Sequence, residues 1–389
     1  MQNTTRALLW NTAALLIAYM AVAMPMPVIS GFVTGMLGFS NGLGGLIVGI
    51  PFLTTILSRA YAGRLSDRLG GRNSMTRGLL VYVVACALCF AAVGTSLSPV
   101  PSYCLLLLGR LVQGFGESLV MVGMLSWNIS LLGPQRSGSV FATVGASMYG
   151  AIAGGGALGI LLVGQIGFPN MMLLCLPLPL LGCLMIRAVP KGELLPAQKK
   201  QSLAGILKNI WKQGAAVGFQ GVGFAALGAF ISLYFDSKGW NHAGAALACF
   251  GAGFVIVRLT LGHLPDKMGG KKVALVSLGV EASGQLLLWL ALSPLFAFAG
   301  AFLTGLGCSL VFPAMGAEVV RLVRPEQRGT AVGGFSIFQD IAYGATAPIA
   351  GIFADRLGYS VVYFLGLAAA LLGLCAAFSM TSRKQEALT

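Results

Sequence analysis

Val361-Val362-Tyr363-Phe364-Leu365-Gly366-Leu367-Ala368-Ala369-Ala370-Leu371-Leu372-Gly373-Leu374-Cys375-Ala376-Ala377-Phe378-Ser379-Met380 is a run of twenty residues without one charge. A bilayer core takes roughly 20 mainly apolar residues at about 1.5 Å rise each, so this stretch is long enough to cross it as a helix. Leu79 to Val93, with its flanks, reads the same way. Lipid offers no water to backbone groups, so only helices or a closed barrel can span it. Barrel strands alternate apolar and polar residues, and these runs do not. The pattern holds throughout the 389 residues, of which 57% are hydrophobic and 9% charged. Soluble domains carry about 25% charged residues. The sequence therefore predicts an all-α membrane protein.

Spans are expected at about 8–35, 42–62, 74–95, 101–128, 138–164, 170–188, 212–235, 243–263, 273–293, 295–320, 329–354 and 359–380, twelve in all. The net charge of +14 lies in the short gaps between them and not in a soluble patch, which argues against nucleic acid. With both termini cytoplasmic, 22 of the 25 Lys and Arg collect on the inner side, leaving out only Lys238, Arg356 and the intramembrane Arg110. This is the positive-inside bias, and it orients the chain. Arg6 and Ala21-Val22-Ala23 have the look of a signal peptide. Apolar residues continue to Val33, however, and removal would break the charge pattern, so an uncleaved first span is expected. The eight cysteines all fall in apolar runs; even Cys86-x-x-Cys89 lacks partner ligands and reads as small hydrophobes.

The chain repeats itself. Gly63-Arg64-Leu65-Ser66-Asp67-Arg68-Leu69-Gly70-Gly71-Arg72 parallels Gly262-His263-Leu264-Pro265-Asp266-Lys267-Met268-Gly269-Gly270-Lys271 at an offset of 199, which also pairs Arg59 with Arg258. Gly109, Gly114, Gly116 and Ser118 match Gly300, Gly305, Gly307 and Ser309 at an offset of 191. The expected division is a six-helix bundle over 1–188, a cytoplasmic linker with an interfacial helix over 189–211, and a second six-helix bundle over 212–389. The interfacial helix rests on Leu203, Ile206, Leu207, Ile210 and Trp211 at helical spacing, opposite Lys208 and Lys212.

Gly63, Asp67, Arg68, Gly70 and Arg72 suit a tight turn between two spans. Glycine tolerates positive φ, and an Asp is favoured where it faces a neighbouring helix N-terminus. With the second copy at Asp266 and Lys267, this motif resembles the signature of the major facilitator superfamily, and it is expected to gate conformational exchange, Asp67 holding the two bundles together on the cytoplasmic side and favouring the outward-facing state. Further markers resemble the YfcJ/YhhS group of bacterial inner-membrane transporters: Arg59 to Leu65, Gly109-Arg110 through Glu117-Ser118, Ser232-Leu233-Tyr234-Phe235, Lys238-Gly239-Trp240, Phe312-Pro313-Ala314, Phe338-Gln339-Asp340 and Pro348-x-x-Gly351. The resemblance implies alternating access driven by an ion gradient, in a multi-pass, monomeric protein of a bacterial inner membrane that needs no cofactor and meets only lipid and a small-molecule substrate.

Arg110, Gln113 and Glu117 fall on one face of the fourth helix. A charge at membrane depth costs several kcal/mol unless paired or hydrated. Arg110 is thus expected either to influence the proton affinity of a nearby acid, to bind an anionic substrate group, or to join helices as a fixed structural pair. By the resemblance, the fourth and eleventh helices line a central cavity, which makes Asp340 the leading proton-binding group and Glu117 its competitor. Gln113, Tyr149 and Gln339 are expected in the same cavity. Glu281 is as deep as Asp340, but the resemblance puts the ninth helix at the periphery and a structural role there. Glu318 is expected to pair with Arg321, and the first span offers no acid. The glycine-rich fifth helix resembles an exporter motif, with Ala157 where that motif has proline. No Gly-x4-Gly-Lys-Ser/Thr occurs, and Gly154-x-Gly156-x-x-Gly159 follows no strand, so nucleotide binding is not indicated. No nucleophile-base or metal constellation suggests an enzyme. The expectation is proton-coupled export of small organic molecules, with uptake or uniport of a sugar-like or anionic metabolite, or a non-transporting sensor, as alternatives.

Overall fold

The structure, a computed structural model, describes residues 2–133, 137–190, 203–323 and 328–380. Among them every regular element is helical: α1 (Gln2–Ala23), α2 (Asn41–Leu69), α3 (Gly71–Gly94), α4 (Pro99–Leu132), α5 (Ser137–Cys175), α6 (Pro177–Met185), α7 (Leu203–Ser237), α8 (Ala243–Leu261), α9 (Gly270–Trp289), α10 (Pro294–Leu322), α11 (Arg328–Leu357) and α12 (Ser360–Phe378), besides a few short turns.

The same helix pairs meet in each half of the chain. α1 packs on α5 and α6 as α7 packs on α11 and α12, α2 on α4 as α8 on α10, and α3 on α4 as α9 on α10. The internal repeat is thus a repeat of packing. The halves meet chiefly along α2 with α11 and α5 with α8. These contacts need bare backbone: a Cβ on Gly49 would stand 2.1 Å from the Gly344 carbonyl oxygen, and one on Gly45 2.1 Å from that of Ala347. That closeness explains glycine there, since packing of backbone against backbone leaves no room for a side chain.

Nine stretches among the described residues are long and apolar enough to cross a membrane. Two causes separate this number from the twelve expected. One stretch, 143–188, covers two expected spans, because α5 runs through a break at Gly167 (φ 79°) instead of ending before it. α9 and α11, with Glu281 and Asp340 inside them, fall short of that measure.

The first expected span also differs. α1 stops at Ala23, and residues 24–28 form turns before Ile29–Gly31 and a π-helical turn at Phe32–Met36. Pro25 and Pro27 lack the amides a continuing helix requires. Residues 203–211 are likewise not a separate surface helix. They are the first turns of α7, which continues unbroken to Ser237 and buries Ile206 and Ile210 in the core of the second half. The linker residues 191–202 lie outside the described residues. Cys86 and Cys89 pack in an apolar core to which both halves contribute.

Candidate functional site

Charge in an apolar protein must be met by something, and where it is met locates the site. On α4, Arg110, Gln113 and Glu117 are all buried. The Arg110 guanidinium donates to the Ile47 carbonyl at 3.0 Å, to that of Val48 at 3.4 Å and to Gln113 Oε1 at 2.5 Å. Pro51 explains the first bond. Proline has no amide, so the carbonyl four residues earlier, that of Ile47, loses its helical donor. Arg110 supplies it. The second half uses the same device: Pro313 frees the Ser309 carbonyl, and Arg258 donates to it at 3.0 Å. Both arginines are anchored within their own halves.

Arg110 is therefore not the partner of the leading acid. Asp340, on α11, accepts from Arg59 of α2 at 2.5 Å, and Arg59 also reaches the Gly333 carbonyl at 3.5 Å. The pair joins the two halves. Its side chains keep 25% and 15% of their surface, so it lines a partly open space and is not sealed in a core. Glu117 lies within electrostatic reach of both and accepts from the Tyr19 hydroxyl at 2.8 Å. The first helix, empty of acids, thus enters the site through a phenol.

Beside this pair runs a second cross-half network. Gln339 donates to the Tyr149 hydroxyl at 3.1 Å, and the Tyr149 and Tyr343 hydroxyls share a bond of 3.1 Å. Aromatic rings close around it, Tyr149 against Phe224 and Phe254, and Tyr343 against Phe52. The repeat relates these elements. Subtracting 191 from Asp340 gives Tyr149, just as subtracting 199 from Arg258 gives Arg59. An arginine on α2 faces the acid on α11, while its counterpart on α8 lies within electrostatic reach of the phenol on α5.

The structure thus brings Asp340, Glu117, Tyr149 and Gln339 together and leaves Arg110 and Gln113 bonded to each other beside them. Arg59, Tyr19 and Tyr343 were missed as site residues. The signal for Arg59 was available, since the 199 offset had already paired it with Arg258. Glu281 is fully buried inside the second half on α9, next to Cys308, and not between the halves.

The loop motif sits at the far end of α2. Gly70 and Gly269 take φ of 82° and 86°, the left-handed conformation that favours glycine. Arg72 donates to the Arg187 carbonyl at 3.3 Å, and Lys271, its counterpart, to that of Phe378 at 2.8 Å. Each base thus meets carbonyls at the end of its half's last helix, where the dipole favours a cation. Glu318 accepts from the Gly270 amide at 2.8 Å and pairs with Arg321 at 3.3 Å. Asp67, Arg68 and Lys267 are exposed. Asp67 has no partner among the described residues, and Gly63 has open space around it. Residues 324–327, which precede α11, and the Asp266 side chain lie outside what is described.

The sequence profile of the Major Facilitator Superfamily matches residues 12–248 and 241–388. An uncharacterized MFS-type transporter of Salmonella typhimurium is 37% identical over 373 residues, covering 96% of each chain. Another, from Burkholderia pseudomallei, is 35% identical over 358 residues, 92% of this chain and 88% of that protein. Among solved structures, the nucleoside transporter NupG superposes with a TM-score of 0.74 at 13% identity, over 96% of this chain and 99% of that one. A bacterial homolog of the human lysosomal transporter Spinster, inward-facing and unoccupied, gives 0.73 at 15%, over 97% and 96%. The human organic anion transporter MFSD10 gives 0.72 at 17%, over 96% and 99%.

Proposed function

The chain belongs to the major facilitator superfamily, and from that premise we propose that it carries small organic molecules by alternating access, driven by protons. As a member it is a multi-pass membrane transporter and not an enzyme. The finer reading is a monomer with twelve spans in two six-helix bundles (1–188 and 212–389), joined by a cytoplasmic linker beginning at 189. Both termini face the cytoplasm of a bacterial inner membrane, and the subgroup is YfcJ/YhhS.

One observation carries the coupling proposal: the ion pair between Arg59 and Asp340 spans the two halves at 2.5 Å. A carboxylate at this depth is expensive when unpaired. When the halves separate, Asp340 loses Arg59 and must exchange that partner for water or a proton. Movement and proton binding thereby become one event. Glu117 is the second candidate, since its hydroxyl partner Tyr19 lies in its own half. Tyr149, Gln339 and the surrounding rings form a wall suited to a small organic molecule with an apolar body and one polar group. Export is the preferred direction; Ala157 in place of the exporter proline keeps uptake as the second reading.

The test uses proteoliposomes holding a pH-sensitive dye, to which a panel of small metabolites and drugs is added. Wild-type protein is expected to couple one of them to proton movement. Asp340→Asn is expected to remove that coupling while leaving substrate exchange partly intact. Loss in Glu117→Gln but not in Asp340→Asn moves the proton to Glu117. Full coupling in both variants defeats the proposal.

A further inference from the structure

α2 and α11 run antiparallel, and the C-terminus of α11 lies beside the N-terminus of α2. Both end in the same four residues with the same backbone. Asp67-Arg68-Leu69-Gly70 closes α2, and Asp355-Arg356-Leu357-Gly358 closes α11. Gly70 and Gly358 take φ of 82° and 81°, and each amide returns to the carbonyl four residues back at 2.9 Å. The copy on α11 is bonded across the halves. Asp355 Oδ1 accepts from the Asn41 amide at 3.0 Å and from Asn41 Nδ2 at 2.7 Å, while Oδ2 accepts from the Gly42 amide at 3.3 Å. Tyr359 donates its hydroxyl to Asn41 Oδ1 at 2.7 Å. Gly351 lets the helices meet there, because a Cβ on it would stand 2.3 Å from the Asn41 carbonyl oxygen.

The first amides of a helix have no partner within it. Here two of those at the start of α2 are satisfied by an acid of the other half, and Ser40 of its own half takes a third at 3.4 Å. We propose that Asp355 is a latch: it holds the halves together at the face where α2 begins, as the opposite-face counterpart of Asp67 where α2 ends. The proposal rests on the alternating-access reading and adds to it a second, symmetric contact. Closure at one face places the α11 acid on the α2 N-terminus. Closure at the other would place the α2 acid on the α11 N-terminus. The two acids therefore bias one equilibrium in opposite directions. The position equivalent to Asp355 on α5, 191 residues earlier, is Gly164, so of these two helix ends only that of α11 carries the acid.

Disulfide trapping reads the closed face without a substrate. A Cβ on Gly42 would lie 3.1 Å from Ile352 Cγ1, which puts a Gly42→Cys/Ile352→Cys pair within bridging distance. In a chain otherwise stripped of cysteine, in proteoliposomes, this pair is oxidised and the crosslinking rate measured. Asp355→Asn is isosteric and is expected to slow crosslinking about 5-fold or more, in keeping with loss of hydrogen bonds to a charged acceptor. Tyr359→Phe is expected to slow it less, in the same direction. Asp67→Asn is expected to speed it, and the Asp67→Asn/Asp355→Asn double variant to return toward the wild-type rate. A wild-type rate in both Asp355→Asn and Tyr359→Phe, with Asp67→Asn still shifting it, overturns the latch alone. An unchanged rate in every variant, Asp67→Asn included, overturns alternating access as well.

Discussion

Breaking the Arg59–Asp340 pair has a cost that depends on which partner is removed. At an effective dielectric of about 20, opposite charges about 4 Å apart attract by roughly 4 kcal/mol. Removing one partner of a buried pair costs about 3–5 kcal/mol, mostly because the other charge is left stranded. This pair keeps 25% and 15% of its side-chain surface, and Arg59 retains the Gly333 carbonyl, so the expected cost is lower. We predict about 2–3 kcal/mol for Asp340→Asn, which strands a guanidinium that cannot neutralise itself. Arg59→Met is expected to cost less, and less still in acid, because the orphaned carboxylate can accept a proton.

The double variant Arg59→Met/Asp340→Asn removes both charges and is expected to recover about 2 kcal/mol of the summed single losses. Reversible unfolding in mixed micelles, titrated with SDS and followed by helical circular dichroism, measures all four proteins. Distant, independent sites add within about 0.5 kcal/mol. A cycle that closes within that margin would refute the pairing as an energetic contact, and with it the argument that the pair links proton binding to movement of the halves.

Three further outcomes follow from the same contacts. Gly49→Ala would press a methyl group against the Gly344 carbonyl oxygen at 2.1 Å; it should abolish flux while Gly279→Ala, with open space around it, leaves flux and melting temperature unchanged. Arg110→Lys keeps the charge but loses the planar fork, and should lower stability by about 1–2 kcal/mol in the same unfolding titration; an unchanged midpoint means the Ile47 and Val48 bonds contribute nothing. Tyr19→Phe removes the hydroxyl that Glu117 accepts from and should cost about 1–2 kcal/mol, an effect that should vanish when Glu117→Gln is already present if the two act as a pair.

The helical class and the repeat were legible because both are one-dimensional signals. A span is a run of about 20 apolar residues, and the repeat is a constant offset along the chain. Gly70 and Gly269 were legible for a similar reason, as turn positions demand a conformation that a residue type announces. The first span was misjudged because apolarity continues through Pro25 and Pro27, and hydropathy does not register a missing amide. Residues 203–211 were misjudged because an amphipathic stretch looks the same whether its apolar face meets lipid or the core of its own half. The partner of Asp340 was not legible at all. Arg59 lies 281 residues away, and only the antiparallel contact of α2 with α11 brings it near, whereas Arg110 shares a helical face with Glu117 that the spacing alone displays.

The two prolines explain why a buried arginine need not be a working one. Pro51 and Pro313 each leave a carbonyl without its helical donor, and Arg110 and Arg258 each supply that donor from a neighbouring helix of the same half. Such a bond lies wholly within one half, so a separation of the halves would neither make nor break it. Arg59–Asp340 differs: among the described residues it is the only ion pair that joins the halves. Separating α2 from α11 along its length must part it, so the free energy of that motion depends on what Asp340 binds afterwards. The proposed coupling charge thus rests on which contacts cross between the halves, whereas burial alone favours Arg110.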